Sequence, residues 1–457
     1  MPSAFHFDPN RCTGCQACEL ACSIENDLGP DRSWREVVTF NASAIPGVPR
    51  FHLSLACNHC QQPACMHACP ALAYRRDAST GAVLIDPRRC IGCRYCSWAC
   101  PYGAPRYEEE RGVMGKCTFC SHRLSEGMKP ACATLCPTGA LDFADIPISE
   151  LYAGVEGFPR TGLGPRIRIE PAHRTLDLEG AGEPMPGLPL AASGPAGPTP
   201  GITLRSEWSL AAFTFMTALL FAAFAGAAAG GRYRLPAPVF VGGAVLAAAF
   251  SLSHLGRPAR AWRAGLNVRR SWLSREVLGF GAFVAGGTAF LSPGVPGTPG
   301  LGALVVLIGL LTLVSADQVY RPVYAGLHPL LDGGGALLTG TYLAGLLLGN
   351  PWLAGAAGSI KAGSEAARAV RTGTWRSGGE SASPLPPLPA VLRVVLGLAL
   401  PAAAWVAWGA PLPTWAILAA IAGEAIGRAG FYGRLRIQSP ARQVRTDLAR
   451  RLASPAT

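Results

Sequence analysis

The chain has 457 residues, 49% of them hydrophobic and 15% charged, with 55 Gly and 40 Pro. This balance disfavours an ordinary soluble enzyme and leans towards a membrane protein of two or three domains. The net charge of +12 is uneven: residues 1–200 carry 18 Lys and Arg against 20 Asp and Glu, and residues 201–457 carry 22 against 8. A nucleic-acid binder would place its basic patch on the folded soluble domain; here the cations flank apolar runs, so the expected surface is a membrane, with no nucleic acid.

In chain order, a short strand is expected at residues 5–7, and the first cysteine group follows at once. Cys12, Cys15, Cys18 and Cys22 give CxxCxxCxxxC. After a strand at 51–55 comes a second group, Cys57, Cys60, Cys65 and Cys69, spaced CxxCx4CxxxCP. Residues 72–77 are expected to pair with 83–86 as a hairpin across 78–81, within a strand prediction of 82–85. The third group, Cys90, Cys93, Cys96 and Cys100, repeats CxxCxxCxxxCP. The fourth, Cys117, Cys120, Cys132 and Cys136, has a wider gap, CxxCx11CxxxCP, and a strand at 140–143 follows. Asp8-Pro9-Asn10-Arg11-Cys12 echoes Asp86-Pro87-Arg88-Arg89-Cys90, so a two-group unit reads as duplicated.

These four quartets use all sixteen cysteines, leaving none for a disulfide or a nucleophile. Three Cys at CxxCxxC wrap one iron–sulfur cubane, and the outlying fourth, usually followed by Pro, ligates the neighbouring cluster. Zinc needs two pairs rather than a third close Cys, and a disulfide framework suits a short secreted chain with a signal peptide, which is not seen here. Four [4Fe-4S] clusters are therefore expected, stapling an α+β ferredoxin-like domain over residues 1–180 whose apolar core is small. Spacing leaves the pairing open: groups one with two and three with four, or one with four and two with three.

Residues 90–107, CIGCRYCSWACPYGAPRY, resemble the four-cluster electron-transfer subunit of dimethyl sulfoxide reductase, and residues 1–180 fit that family. The resemblance implies the pairing of one with four and two with three. Cys90, Cys93, Cys96 and Cys69 would share the cluster nearest the membrane, and Cys57, Cys60, Cys65 and Cys100 the next. The other two would be held by Cys12, Cys15, Cys18 and Cys136, and by Cys117, Cys120, Cys132 and Cys22. It also implies that residues 158–174 form an extended tail lying on a catalytic subunit.

Residues 181–202 read as a Pro/Gly-rich linker, and residues 203–457 as an all-α transmembrane bundle of about eight helices. The expected spans are 208–229, 236–255, 273–292, 300–319, 333–349, 351–368, 391–409 and 412–430, most near the roughly 20 residues that cross a bilayer. The sixth is interrupted by Lys361, Glu365 and Arg368. With all eight, only Arg232 and Arg234 fall on the far side, a lopsided split that the positive-inside rule favours. The expected location is the inner (cytoplasmic) membrane, multi-pass, with cluster domain and C-terminus cytoplasmic.

Residues 253–276, SHLGRPARAWRAGLNVRRSWLSRE, resemble the dimethyl sulfoxide reductase membrane anchor, which oxidises menaquinol; looser likeness extends through residues 319–322 and 427–432. The resemblance places the quinol site on His254, Gly256, Arg260 and Glu276. Residue chemistry agrees. Quinol oxidation releases protons that an imidazole can take and a carboxylate can pass on, while Arg260 can hold charge developing on the ring oxygen. Arg263, Arg269 and Arg270 read as headgroup anchors. Only His254 and His328 lie beyond residue 200, at the ends of different helices, so no haem is expected. The reading is an electron-transfer and membrane-anchor protein with its own quinol-oxidation site, serving a separate molybdopterin-containing catalytic subunit of the dimethyl sulfoxide, tetrathionate or polysulfide type. An ion-translocating redox protein, the rival from another class, would need carboxylates or Lys deep inside the helices.

Overall fold

The alternating Ser3–Phe7 segment forms β1, which buries Ala4, Phe5 and Phe7 in a computed structural model of the chain. Residues 3–440 are described, except 30, 41–50, 152–157, 160, 172–201, 231–233, 295–297, 325–327, 372–387 and 438. Two compact units result, one of residues 1–200 and 437–457, the other of residues 201–436. The expected linker lies outside the described residues except for its last, Ile202.

In the first unit, secondary structure is short. The strands are β2 (Glu36–Phe40), β3 (Phe51–Leu55), β4 (Tyr74–Arg76), β5 (Val83–Ile85), β6 (Arg106–Glu108), β7 (Val113–Gly115), β8 (Leu141–Asp145) and β9 (Ile167–Ile169). The helices are α1 (Ala17–Glu25), α2 (Ala64–Ala68), α3 (Tyr95–Ala99), α4 (Ser121–Ser125) and α5 (Ala131–Thr134). β1 is the centre of a three-stranded sheet, antiparallel to β8 with Phe5 opposite Phe143, and parallel to β9 with Phe5 opposite Ile167. The expected hairpin is present as β4–β5, Tyr74 opposite Ile85. The pairs β2–β3 and β6–β7 are additional hairpin-like sheets.

Phe5, Phe119 and Phe143 meet edge to face at 5.2 Å, each pair worth about 0.5–1.5 kcal/mol beyond its burial. Phe119 sits between Cys117 and Cys120, so this aromatic core also holds the fourth cysteine group. The two group openings share a backbone path. Asp8 and Asp86 carboxylates accept from the N–H groups of Asn10 (2.9 Å) and Arg88 (2.8 Å). Gly14 and Gly92 follow at φ 70° and 72°, then Gln16 and Arg94 at φ 62° and 59°, before α1 and α3 begin. Left-handed backbone favours glycine, and a Cβ on Gly14 would lie 2.4 Å from the His52 ring.

The second unit is helical: α6 (Trp208–Ala228), α7 (Ala237–Ser253), α8 (Trp272–Leu291), α9 (Pro299–Val319), α10 (Ala336–Leu348), α11 (Pro351–Arg371), α12 (Leu388–Val394), α13 (Leu400–Trp408) and α14 (Thr414–Tyr432). A π-helical turn, Val395–Ala399, joins α12 to α13. Among the described residues four stretches are long and apolar enough to cross a membrane: Trp208–Ala228, Pro299–Val323, Pro329–Leu348 and Leu388–Trp408. A fifth is added if α7 and the 3-10 helix Pro258–Gly265, bent by 105°, count as one. Helix thus occurs at each of the eight expected places, and four or five of them meet the demands of a span.

α11 explains why charge interrupts the sixth expected span. Lys361 Nζ lies 2.7 Å from Glu424 of α14, and Thr339 of α10 donates to the same carboxylate at 2.7 Å. Glu365 pairs with Arg393 of α12 and, at 2.7 Å, with Arg368, which reaches Asp332 at 3.5 Å. Lys361, Glu365 and Arg368 are each matched by a charge from another element. Lys361→Met leaves the buried Glu424 without its cation and should destabilise the bundle by about 3–5 kcal/mol, as breaking one side of a buried pair does. Thermal unfolding in detergent measures this, and adding Glu424→Gln should recover most of the loss.

Candidate functional site

The sixteen thiols are all free, and twelve are buried. Burial pushes the Cys60 thiol up to about 12, and the neighbouring Cys57 and Cys100 add to the rise. Cys100 rises to about 11 through burial and then Cys57. Cys65 is raised by burial, then Cys100 and Cys57. One cavity is lined by Cys57, Cys60, Cys65 and Cys100 together, three thiols of the second group and the outlier of the third.

The remaining thiols also fall together across groups. Cys69, Cys90, Cys93 and Cys96 are mutual neighbours. Cys120 is raised to about 11 by burial, then by Cys132 and Cys22. Glu25 of α1 accepts from Arg123 (3.0 Å) and bonds His122 (2.7 Å), tying the helix that carries Cys22 to α4 beside Cys120. Cys12 has Cys136 and Cys15 as neighbours. Cys18 faces Cys132 across the boundary between two quartets.

Backbone N–H groups aim at several sulfurs: Ala73 at Cys69 (3.3 Å), Leu141 at Cys136 (3.3 Å), Phe119 at Cys117 (3.4 Å) and Met114 at Cys90 (3.5 Å). Such donors stabilise thiolates and tune an iron–sulfur core. Among the described residues, no three His, Cys, Asp or Glu side chains converge tightly enough to hold a single metal ion. Buried thiols and sulfur-directed N–H groups fit iron–sulfur clusters.

Residues 48–146 match the 4Fe-4S dicluster domain family. Over 182 residues the sequence is 43% identical to a component of the anaerobic dimethyl sulfoxide reductase of Escherichia coli (strain K12), a match covering 36% of this chain and 87% of that protein. This protein belongs to the iron–sulfur electron-transfer subunits of the dimethyl sulfoxide reductase family. A sulfite dehydrogenase subunit of Allochromatium vinosum is 34% identical over 196 residues, 38% of this chain and 82% of that one. The electron transfer subunit of the thiosulfate reductase of Salmonella typhi is 40% identical over 152 residues, 32% and 78%. Like its relatives, this family member is an iron–sulfur electron-transfer protein; the matches span little more than a third of it.

The tail expected to lie on a partner is described in part. Its β9 joins the sheet of the chain's own first unit, and Gln61 and Gln62 donate to the carbonyls of Gly164 (2.8 Å) and Leu163 (2.9 Å).

In the second unit, His254 caps the C-terminus of α7, Gly256 lies in the turn that follows, and Arg260 is in the 3-10 helix Pro258–Gly265. Ser274 Oγ donates to Ala264 O at 2.7 Å, fixing that helix against the first turn of α8. Glu276 stands one turn in, 4% exposed. Its strongest charged neighbours are Arg428 of α14 and Asp317 of α9, not the Arg260 that sequence reasoning set beside it.

Asp317 is committed: it accepts from the N–H groups of Ala336 (2.8 Å) and Leu337 (2.9 Å) and so caps α10. Arg428 donates to Asp317 (3.4 Å), Gly334 O (3.1 Å) and Thr214 Oγ1 (2.8 and 3.0 Å). The two looser stretches of resemblance converge here: the Tyr320 and Tyr432 hydroxyls are 2.5 Å apart, and Arg428 lies over both rings. Glu276 alone among these acids has no hydrogen bond or ion pair among the described residues. Its sequence signal was its place in the motif; Arg428 was legible only as part of a looser one.

Proposed function

We propose that this chain oxidises menaquinol at a site in its helical unit and passes the electrons through four [4Fe-4S] clusters to a separate molybdopterin-containing catalytic subunit, as in anaerobic respiration on dimethyl sulfoxide. The observation that carries the reading is the uncommitted buried carboxylate of Glu276, in a protein that also bears sixteen cluster-spaced thiols. An unpaired ionisable group within an apolar bundle is a functional candidate by default.

The ligand sets are those the resemblance implies; the neighbour relations above support them, except that Cys18 has Cys132 as its thiol neighbour. They are Cys69, Cys90, Cys93 and Cys96; Cys57, Cys60, Cys65 and Cys100; Cys22, Cys117, Cys120 and Cys132; and Cys12, Cys15, Cys18 and Cys136. Each bound cluster supplies one-electron transfer. The protein holds the sulfurs, excludes water from most of them, and sets their potentials with N–H groups and fixed charge. The matched paths at Cys12 and Cys90 support descent from one duplicated unit.

At the quinol site, His254 accepts a proton from the substrate hydroxyl, and Glu276 takes the proton onward. Arg260 and Gly256 complete the pocket by resemblance, and Arg428 adds fixed positive charge near Glu276. Lys361, Glu424 and Asp317 are bound up in helix packing, which weighs against an ion-translocating role. Similarity to a sulfite dehydrogenase subunit favours a second reading, the same relay serving another oxidoreductase with electrons running towards quinone.

All eight helices are proposed to span the cytoplasmic membrane, with the cluster unit cytoplasmic. Reporters fused before Met1 and after Thr457 should then mark one compartment; opposite compartments would remove one span. Purification from membranes with mass identification of partners tests the function: a molybdopterin subunit should co-purify, and its absence from an intact complex would overturn the assignment.

A further inference from the structure

We propose that Arg35 is the shared counter-charge of two clusters and raises both of their reduction potentials. The inference rests on the four-cluster reading above. Arg35 precedes β2 and is 2% exposed, among the largest fully buried side chains of the protein. Its guanidinium lies over the Phe5 ring at 4.4 Å. Nη1 donates to Ser54 Oγ (3.1 Å) and Ser54 O (3.3 Å), and that same hydroxyl is 3.4 Å from Cys18 Sγ. Nε and Nη2 are buried without a hydrogen-bond partner.

A guanidinium does not lose its proton in a protein, so the charge is permanent. Burying it without an anion is expensive. Among the described residues no carboxylate forms an ion pair with it; its strongest electrostatic partners are the thiols Cys132, Cys18 and Cys117. Cys18 belongs to one proposed quartet, Cys132 and Cys117 to another. The cation therefore interacts with thiols of two sites that become anionic when iron is bound, with two N–H donors to spare for sulfur. Each one-electron reduction adds negative charge to a cluster. A fixed cation in a low-dielectric setting favours the reduced form and raises the potential. No thiol of the other two quartets is among its strongest partners.

The test uses full-length protein purified anaerobically in detergent, with iron content and a spectroscopic redox titration of each cluster. Arg35→Met keeps the bulk over Phe5 and removes the charge; Arg35→Lys keeps the charge. In R35M, two of the four couples should shift to lower potential by about tenfold in equilibrium constant, 59 mV for a one-electron couple, and two should stay in place. R35K should remain near the native values. If R35M loses iron from those two sites while R35K retains it, the counter-charge role is likewise supported. Unchanged potentials in a fully loaded R35M would overturn the proposal, as would equal iron loss in both variants, which would mark a packing role. A wild-type protein without iron would instead overturn the cluster reading itself, before any variant is compared.

Discussion

His254→Ala is expected to slow menaquinol oxidation by about a hundredfold or more, the usual contribution of a positioned general base. The clusters should remain assembled and reducible by a soluble dye. Quinol cannot release electrons quickly unless its protons have an acceptor, and His254 sits at the mouth of α7, beside the turn that leads to α8. Glu276→Gln keeps the shape of its side chain and removes its proton affinity, so it should give the same phenotype. An imidazole that merely anchored the helix end would behave differently: its loss would lower membrane yield and leave turnover per cluster unchanged. The measurement is menaquinol oxidation normalised to iron in the purified variant.

Cys96→Ser should eliminate or convert to a three-iron form the single cluster assigned to Cys69, Cys90, Cys93 and Cys96, with the other three retained. The local character follows from the chain path. α3 carries Cys96 and leads directly to Cys100 in the cavity of the neighbouring quartet, so the two sites share backbone but no ligand. Electron delivery from quinol should stop, because the relay loses a member. Spectroscopy of the reduced variant checks the count; loss of all four signals would mean that the unit folds around its clusters as one cooperative whole.

Much of the first unit was legible because its cysteines fix the chain at short range. The strands expected at 5–7, 51–55, 82–85 and 140–143 are β1, β3, β5 and β8, each within two residues at either end, and the hairpin at 72–86 is β4–β5. What escaped depends on distant partners. β2, β6, β7 and β9 are short segments with weak alternation. Arg35 stands in a polar stretch of sequence, and the buried Phe5 and Ser54 beside it come from other strands. In the helical unit, a hydropathy reading penalises α11 for Lys361, Glu365 and Arg368. Their partners Glu424, Arg393 and Asp332 lie in other elements, where sequence gives no hint of pairing. The same holds for Glu276, whose strongest charged neighbour, Arg428, comes from α14 rather than from its own arginine-rich loop.

The most direct test of a quinol-fed cluster relay on one chain is reduction of the purified full-length protein by menaquinol, followed by quantitative spectroscopy of iron–sulfur signals. The account predicts about sixteen irons with matching sulfide per chain, four cubanes' worth, reduced by the quinol in wild type and not in H254A. Stoichiometric zinc with little iron, or full clusters that menaquinol leaves oxidised while a soluble dye reduces them, would contradict it.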